Sequence, residues 1–322
     1  MAYLENDGAE RGGAPENPDR RSAMACLGWI GTGMLWTMAA GVPRTLGAIG
    51  SAAAATVDSA SFTFLQVSDS HIGFKAGPYQ DVTGTLQEAI GLVRSLPYRP
   101  ALMLHTGDIS NLAKPAQFDT ADQIYGTAGL QIHHVPGEHD MLDHGKTLYL
   151  SRYGKDAKGD GWYSFDDHGV HFIGLSNVRH QAPDGQWLLG TDQIAWLADD
   201  LRAVSSSTPI VVFAHVPLWT IYAKWGWGTA DGPAALALLR RFGSVTLLNG
   251  HIHQIVQKVE GNIQFHTARS TAFPQPAPGA ATHPGPILTL PAGEIGKHLG
   301  LTTATLMLSE TRLAITDTVL QA

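Results

Sequence analysis

From residue 62 onward the chain alternates short apolar runs with longer stretches in which apolar residues recur every three to four positions. Five of the runs end in a small group of Asp, His and Gly: FTFLQVSDSH (62 to 71), ALMLHTGD (101 to 108), IHHVPGEHD (132 to 140), PIVVFAHVP (209 to 217) and SVTLLNGHIH (244 to 253). Runs this short and rich in Val, Leu, Ile and Phe are the pattern of buried strands in an α/β sheet. Between them the spacing predicts helices. One spans Val82 to Ser95, one follows a Thr191-Asp192 cap with Ile194, Leu197 and Leu201 on one face, and one covers PAALALLRRF with Pro233 at its first helical position.

Three further segments read as antiparallel hairpins, turning at Asp167-His168-Gly169, at Glu260-Gly261-Asn262 and near Ser309 to Arg312. Together these elements predict an α/β fold, a four-layer α/β/β/α sandwich in which two mixed sheets pack together and helices cover the outside. Residues 274 to 292, opening PQPAPGAATHPGP, hold too much proline for regular structure and are expected to form an ordered surface excursion or lid.

The first 55 residues break this pattern. Arg20 and Arg21 precede an uncharged, moderately apolar run from Ala23 to Val42, followed by Pro43, Arg44 and the small-residue stretch SAAAAT. Adjacent arginines, an apolar stretch and A-x-A cleavage sites are the layout of a twin-arginine export signal. Residues 1 to 55 are therefore expected to be signal and linker, and 56 to 322 the folded domain, exported to the periplasm. The alternative is an uncleaved helix anchoring the same domain in the membrane, since the run is long enough to span one. Cys26, the single cysteine, lies in this segment, so removal of the signal leaves no thiol for disulfides or metal binding.

Composition narrows the picture. The 322 residues carry a formal net charge of -7, and so give no basic footprint for nucleic acid. Histidine is the outlier: all 15 lie beyond residue 70. Asp69 and His71 form DxH, Asp108 closes GD, Glu138, His139 and Asp140 form GEHD, His215 follows an apolar run, and His251 and His253 form GHxH. Setting His139 and Asp140 aside leaves seven oxygen and nitrogen donors and no sulfur, enough for two metal ions sharing a bridging carboxylate.

The ordered set DSH, GD, GEHD, H and GHIH resembles the calcineurin-like metallophosphoesterases over residues 62 to about 270. Each motif alone is weak; five in order, each after an apolar run, are specific. The resemblance implies a hydrolase of phosphate mono- or diesters, with two metal ions, Fe and/or Mn or else Zn; with the signal at its N-terminus it would be exported. Asp69, His71, Asp108 and His253 would hold the first, and Asp108, Glu138, His215 and His251 the second. It implies a water or hydroxide between the metals as nucleophile. His139 would face the substrate as a catalytic residue, with Asp140 accepting its other ring proton and fixing its tautomer. Glu138 departs from the family pattern, which has asparagine there. The added negative charge favours hard, highly charged ions and weakens the electrophile. It also opens a second reading, a metal-binding or partner-binding protein of the same fold with weak or no catalysis.

Other candidates carry less. His105, His133 and His134 sit within predicted strands and read as hydrogen-bonded core or supporting residues, and His168 as a turn residue. Trp219, Tyr222, Trp225 and Trp227, in the loop 218 to 231, are expected either to wall a substrate or to pack over the sheet. Arg269 has the geometry to reach a phosphate, but an ordinary ion pair is the plainer expectation.

Overall fold

The computed structural model describes residues 34–39, 42–48, 61–142, 145–307 and 312–321. The chain divides into two units, Met1–Thr56 and Val57–Ala322. In the first, β1 (Met34–Ala39) and β2 (Val42–Ala48) form an antiparallel pair across the later part of the stretch read as an export signal. Arg20, Arg21 and Cys26 lie outside the described residues. Among the described residues no helix is long and apolar enough to cross a membrane.

In the second unit, β3 (Ser61–Val67), β4 (Leu102–His105) and β5 (Gln131–His134) run parallel, and each is one of the five apolar runs. Between them, α1 (Val82–Ser95) spans the residues the spacing predicts. The Asp81 carboxylate caps it by accepting from the Gly84 amide at 2.8 Å, an interaction worth about 1 kcal/mol. It stops where Leu96, extended, precedes Pro97. Two further helices, α2 (Pro115–Gly126) and α3 (Gly145–Tyr153), were not evident from the pattern.

The hairpin β6 (Tyr163–Asp167) and β7 (Val170–Leu175) is followed by a short pair, β8 (His180–Gln181) and β9 (Trp187–Leu188). Then come α4 (Thr191–Leu201), β10 (Ile210–Ala214), α5 (Gly232–Leu239) and β11 (Val245–Asn249). The cap of α4 differs from the expected one. Gly190 is the capping residue, and the Asp231 carboxylate accepts from the Leu189 and Gly190 amides. The chain ends with hairpin β12 (Gln257–Glu260) and β13 (Ile263–Thr267), a short α6 (Ile295–His298), and the antiparallel pair β14 (Gly300–Met307) and β15 (Leu313–Val319). Residues 274 to 291 hold no helix or strand, as their prolines led one to expect.

Two mixed sheets result, ordered β15-β14-β3-β4-β5 and β12-β13-β11-β10-β7-β6. Strand pleating sorts the apolar side chains into three layers. Phe62, Phe64, Leu104, Phe172, Phe213 and Leu248 fill the space between the sheets, with Phe64 meeting Phe172 edge-on at 5.3 Å. Leu65, Val67 and Met103 face the other way, against Leu86 and Ile90 of α1 and Phe118 of α2. On the far side Val212 and Leu247 pack against Leu197 of α4 and Leu239 of α5. This is the four-layer α/β/β/α sandwich.

Candidate metal centre

The seven donors follow the carboxyl ends of five parallel strands, where open α/β sheets place ligand sites. Asp69 and His71 follow β3, Asp108 follows β4, Glu138 follows β5, His215 follows β10, and His251 and His253 follow β11. One sheet thus supplies all three carboxylates and one imidazole, and the other sheet supplies three imidazoles.

All seven converge. His253 Nε2 lies 3.1 Å from Asp69 Oδ1 and 3.3 Å from His71 Nε2. His215 Nε2 lies 2.8 Å from Glu138 Oε2, and His251 Nδ1 lies 3.0 Å from Glu138 Oε1. Asp108 stands between the groups: its Oδ2 is 3.4 Å from both His71 Nε2 and His215 Nε2, while its Oδ1 accepts from the His139 backbone N–H at 2.9 Å.

The backbone shows the same assembly. Of the seven described non-glycine residues with positive φ, five are Asp69, His71, Asp108, His251 and His253. Left-handed geometry costs a non-glycine residue roughly 1–2 kcal/mol and persists only where the surroundings impose it. Two motif glycines are explained by close approach. A Cβ on Gly137 would collide with the amide and carboxylate of Asp108, and one on Gly250 with Ser68 Oγ and Asp69 Oδ2.

Neighbouring groups fix the imidazole tautomers. His215 Nδ1 donates to the Thr106 carbonyl at 2.7 Å, and His253 Nδ1 to the Phe273 carbonyl at 2.6 Å. In the neutral rings Nε2 is then a lone pair turned toward carboxylate oxygens, acceptor against acceptor. Glu138 Oε2 is buried and, among the described residues, has only the His215 Nε2 beside it. Such a cluster of nitrogen and oxygen donors, with Nδ1 of His215 and of His253 already committed, fits divalent cations. The carboxylates favour a positive charge among these donors, carried by a cation or by a proton: burial raises the Glu138 carboxyl pKa, yet His251 and His215 hold it well below the usual carboxylate range. Burial likewise opposes charge on His215, but Asp108 and Glu138 raise its pKa well above an ordinary histidine.

Glu138, His139 and Asp140 occupy a single 3-10 turn, Glu138–Met141, and part company because successive side chains there point about 120° apart. Glu138 faces His215 and His251. His139 lines the adjoining cleft, and it also comes close enough to His71 and Asp108 to form part of a metal-binding group. Its Nδ1 donates to the Asn111 carbonyl at 2.7 Å. Burial lowers its pKa, but Asp108 and Glu138 outweigh that and raise it.

Asp140 does not orient His139, contrary to expectation. Its buried carboxylate accepts from the amides of Ile109 (3.1 Å), Ser110 (2.8 Å) and Gly137 (3.1 Å), and from the Ser110 hydroxyl (2.9 Å). It ties the loop carrying Asp108 to the loop carrying Glu138 and His139. Backbone carbonyls of Asn111, Thr106 and Phe273 do the orienting, and a carbonyl has no residue signature in a sequence.

The remaining candidates fall into place around this centre. His105 is buried beneath it, accepting from the Gly107 amide and lying 3.4 Å from Ser70 Oγ. His133 stacks on Phe165, His134 on Tyr153 and His168 on Phe62. Arg269 donates to the His298 carbonyl and neither lines the cleft nor forms an ion pair among the described residues. Of the loop aromatics, Trp225 and Trp227 line the cleft, Tyr222 packs on Trp225, and Trp219 meets Phe265. Trp187 adds a third indole, and Pro284 to Pro286 of the excursion form another edge. The cleft has a volume of 510 Å³.

The family model for calcineurin-like phosphoesterases matches residues 62–255. A glycerophosphodiester phosphodiesterase of Enterobacter lignolyticus, GpdQ, is 27% identical over 199 residues, 59% of this chain and 70% of that one. A 3',5'-cyclic-nucleotide phosphodiesterase of Nostoc is 22% identical over 215 residues, 65% of this chain and 77% of that one. Among solved structures, a dimetal phosphatase from Danio rerio superposes with a TM-score of 0.61 at 17% identity, covering 80% of this chain and 98% of that one.

Proposed function

The chain belongs to the calcineurin-like phosphoesterase family and is a metal-dependent phosphoric ester hydrolase; we propose that it is exported and uses two metal ions to hydrolyse phosphate mono- or diesters. One observation carries the dinuclear reading: seven donors from five strand ends meet in two groups with Asp108 Oδ2 equidistant between them. Asp69, His71, Asp108 and His253 would hold one ion, and Asp108, Glu138, His215 and His251 the other. When bound, two such cations supply Lewis acidity, making water a stronger nucleophile at neutral pH and neutralising phosphoryl oxygens.

The protein's own residues supply the rest. With Nδ1 committed to Asn111, His139 has Nε2 free to donate a proton to the departing ester oxygen, and the Asp108 and Glu138 carboxylates raise its pKa, favouring the protonated ring. Asn111 fixes the ring, and Asp140 holds the loop beneath it. Trp187, Trp225, Phe74 and Phe273 give the cleft apolar walls that exclude water around the ester. The two phosphodiesterase relatives favour a diester as substrate.

Elemental mass spectrometry together with turnover of bis-p-nitrophenyl phosphate and p-nitrophenyl phosphate across a pH series tests the reading. About two metals per chain and hydrolysis of either ester are expected. Protein without metal, or loaded protein inert toward both, contradicts it. His139→Ala should keep the metals and lose about 10²-fold or more in turnover; unchanged turnover removes His139 from the chemistry. Support for export comes from the paired Arg20 and Arg21 ahead of an uncharged run. N-terminal sequencing of the mature protein checks it, and a start at residue 1 or 2 contradicts it.

A further inference from the structure

Among the described residues that line the cleft, Lys224 is the only lysine or arginine. Lys146, Lys258 and Lys297 pair with Asp160, Glu260 and Glu294, whereas Lys224 has no carboxylate partner among the described residues. It rides on a short 3-10 turn, Ala223–Trp225, whose backbone is held from both sides. Tyr222 bridges to Trp227, and the Trp225 amide donates to the Tyr222 carbonyl at 3.1 Å. Trp225 meets Trp227 edge-on at 5.0 Å, and both pack with Ile252, the residue between His251 and His253. The lysine is therefore carried on a frame built against the metal-binding loop, with its side chain at the rim of the cleft.

The surroundings define what it can recognise. The inner end of the cleft holds the carboxylates and imidazoles where the reacting phosphoryl group belongs. The rest of the lining is uncharged, with Phe74, Trp187, Trp225, Pro284 and Pro286 beside the amide side chains of Asn111, Gln181 and Gln275. A second anion carried on the ester's leaving group meets one cationic partner there, beside indoles that limit its hydration. We infer that Lys224 is a specificity-determining residue that selects phosphate esters whose leaving group bears a second negative charge, a carboxylate or another phosphate. This rests on the phosphoesterase reading of the same site.

The probes are ω-carboxyalkyl phosphates of increasing chain length, each compared with the n-alkyl phosphate of equal length, so that the series also measures the span from the centre to Lys224. At the best length the wild-type, metal-loaded enzyme should favour the carboxylated ester about tenfold in kcat/KM. Lys224→Gln should bring that ratio to about one, chiefly through KM, and Lys224→Glu should invert it. No preference at any length in the wild type overturns the inference, as does a preference that survives in Lys224→Gln. Both series falling together in that variant also overturns it, because Lys224 would then act on the reacting phosphoryl. If the wild type hydrolyses neither series, bis-p-nitrophenyl phosphate decides the phosphoesterase reading, which fails only if that diester is also left intact, and calorimetric binding of the same ester pairs judges Lys224 separately. A wild-type preference lost in Lys224→Gln supports it, and equal binding of both esters overturns it.

Discussion

Asp140 offers a test of how the centre is held together. Its side chain is 0% exposed and accepts four hydrogen bonds, three of them from buried backbone amides on two loops. Asp140→Ala leaves those amides unpaired. At about 1–3 kcal/mol for each orphaned buried group, reduced by local relaxation, the loss should total about 3–5 kcal/mol. For a domain of this size that is a drop in Tm of roughly 10 °C. Asp140→Asn has nearly the same shape but turns an amide donor toward one pair of N–H groups, so it should recover only about half of the loss. Scanning calorimetry of the metal-loaded variants reads the stability, and kcat is measured well below the melting transition. If Asp140 instead acted through His139, the Asn variant would keep its Tm within about 1 °C while kcat collapsed. That result would refute the loop-fastening role.

The other predictions concern single contacts. Gly250→Ala drives a methyl into Ser68 Oγ and Asp69 Oδ2 and should cost about 1–3 kcal/mol and weaken metal binding, read by denaturation and by metal titration. Glu138→Asn removes one of the three carboxylates of the donor set; it should weaken metal binding about 10–100-fold in chelator competition, shift preference away from highly charged ions, and raise ester turnover. Unchanged metal content and kinetics would take Glu138 out of the coordination set. His171, away from the centre, is opposed by burial but hydrogen-bonded to Asp200 (2.9 Å) and Asp166 (2.7 Å), which raise its pKa. Its stabilisation should be full below the unfolded value of about 6.5 and fade as pH rises through the folded value. His171→Gln should therefore cost about 1–2 kcal/mol near pH 6 and less at pH 9, measured by urea denaturation.

What the sequence makes legible follows from how each feature is encoded. Four of the five strand runs, all but the half-exposed β5, are buried, so they read as continuous apolar segments, and their polar ends stand out against them. α1 is legible because Val82, Leu86, Ile90 and Val93 repeat on one face behind a capping Asp. α2 is not, because PAQFDTADQIYG mixes Thr, Asp and Gly with a sparse apolar face of Phe118, Ala121, Ile124 and Tyr125. β8 and β9, two residues each, depend on tertiary contacts that no local pattern announces. Within the centre, ligand-type side chains announce themselves by chemistry. Asp140 is not legible, because adjacency to His139 in sequence suggests contact, whereas the 3-10 turn sends the two side chains to different places. Trp187 reaches the cleft from β9 and Lys224 from a 3-10 turn, and only the fold brings them together.

Anomalous diffraction from crystals of the metal-loaded protein tests the central claim most directly. Two peaks are predicted, one bounded by Asp69, His71 and His253 and the other by Glu138, His215 and His251, with Asp108 between them. A single peak, or peaks that leave Asp108 without a metal on either side, would contradict it.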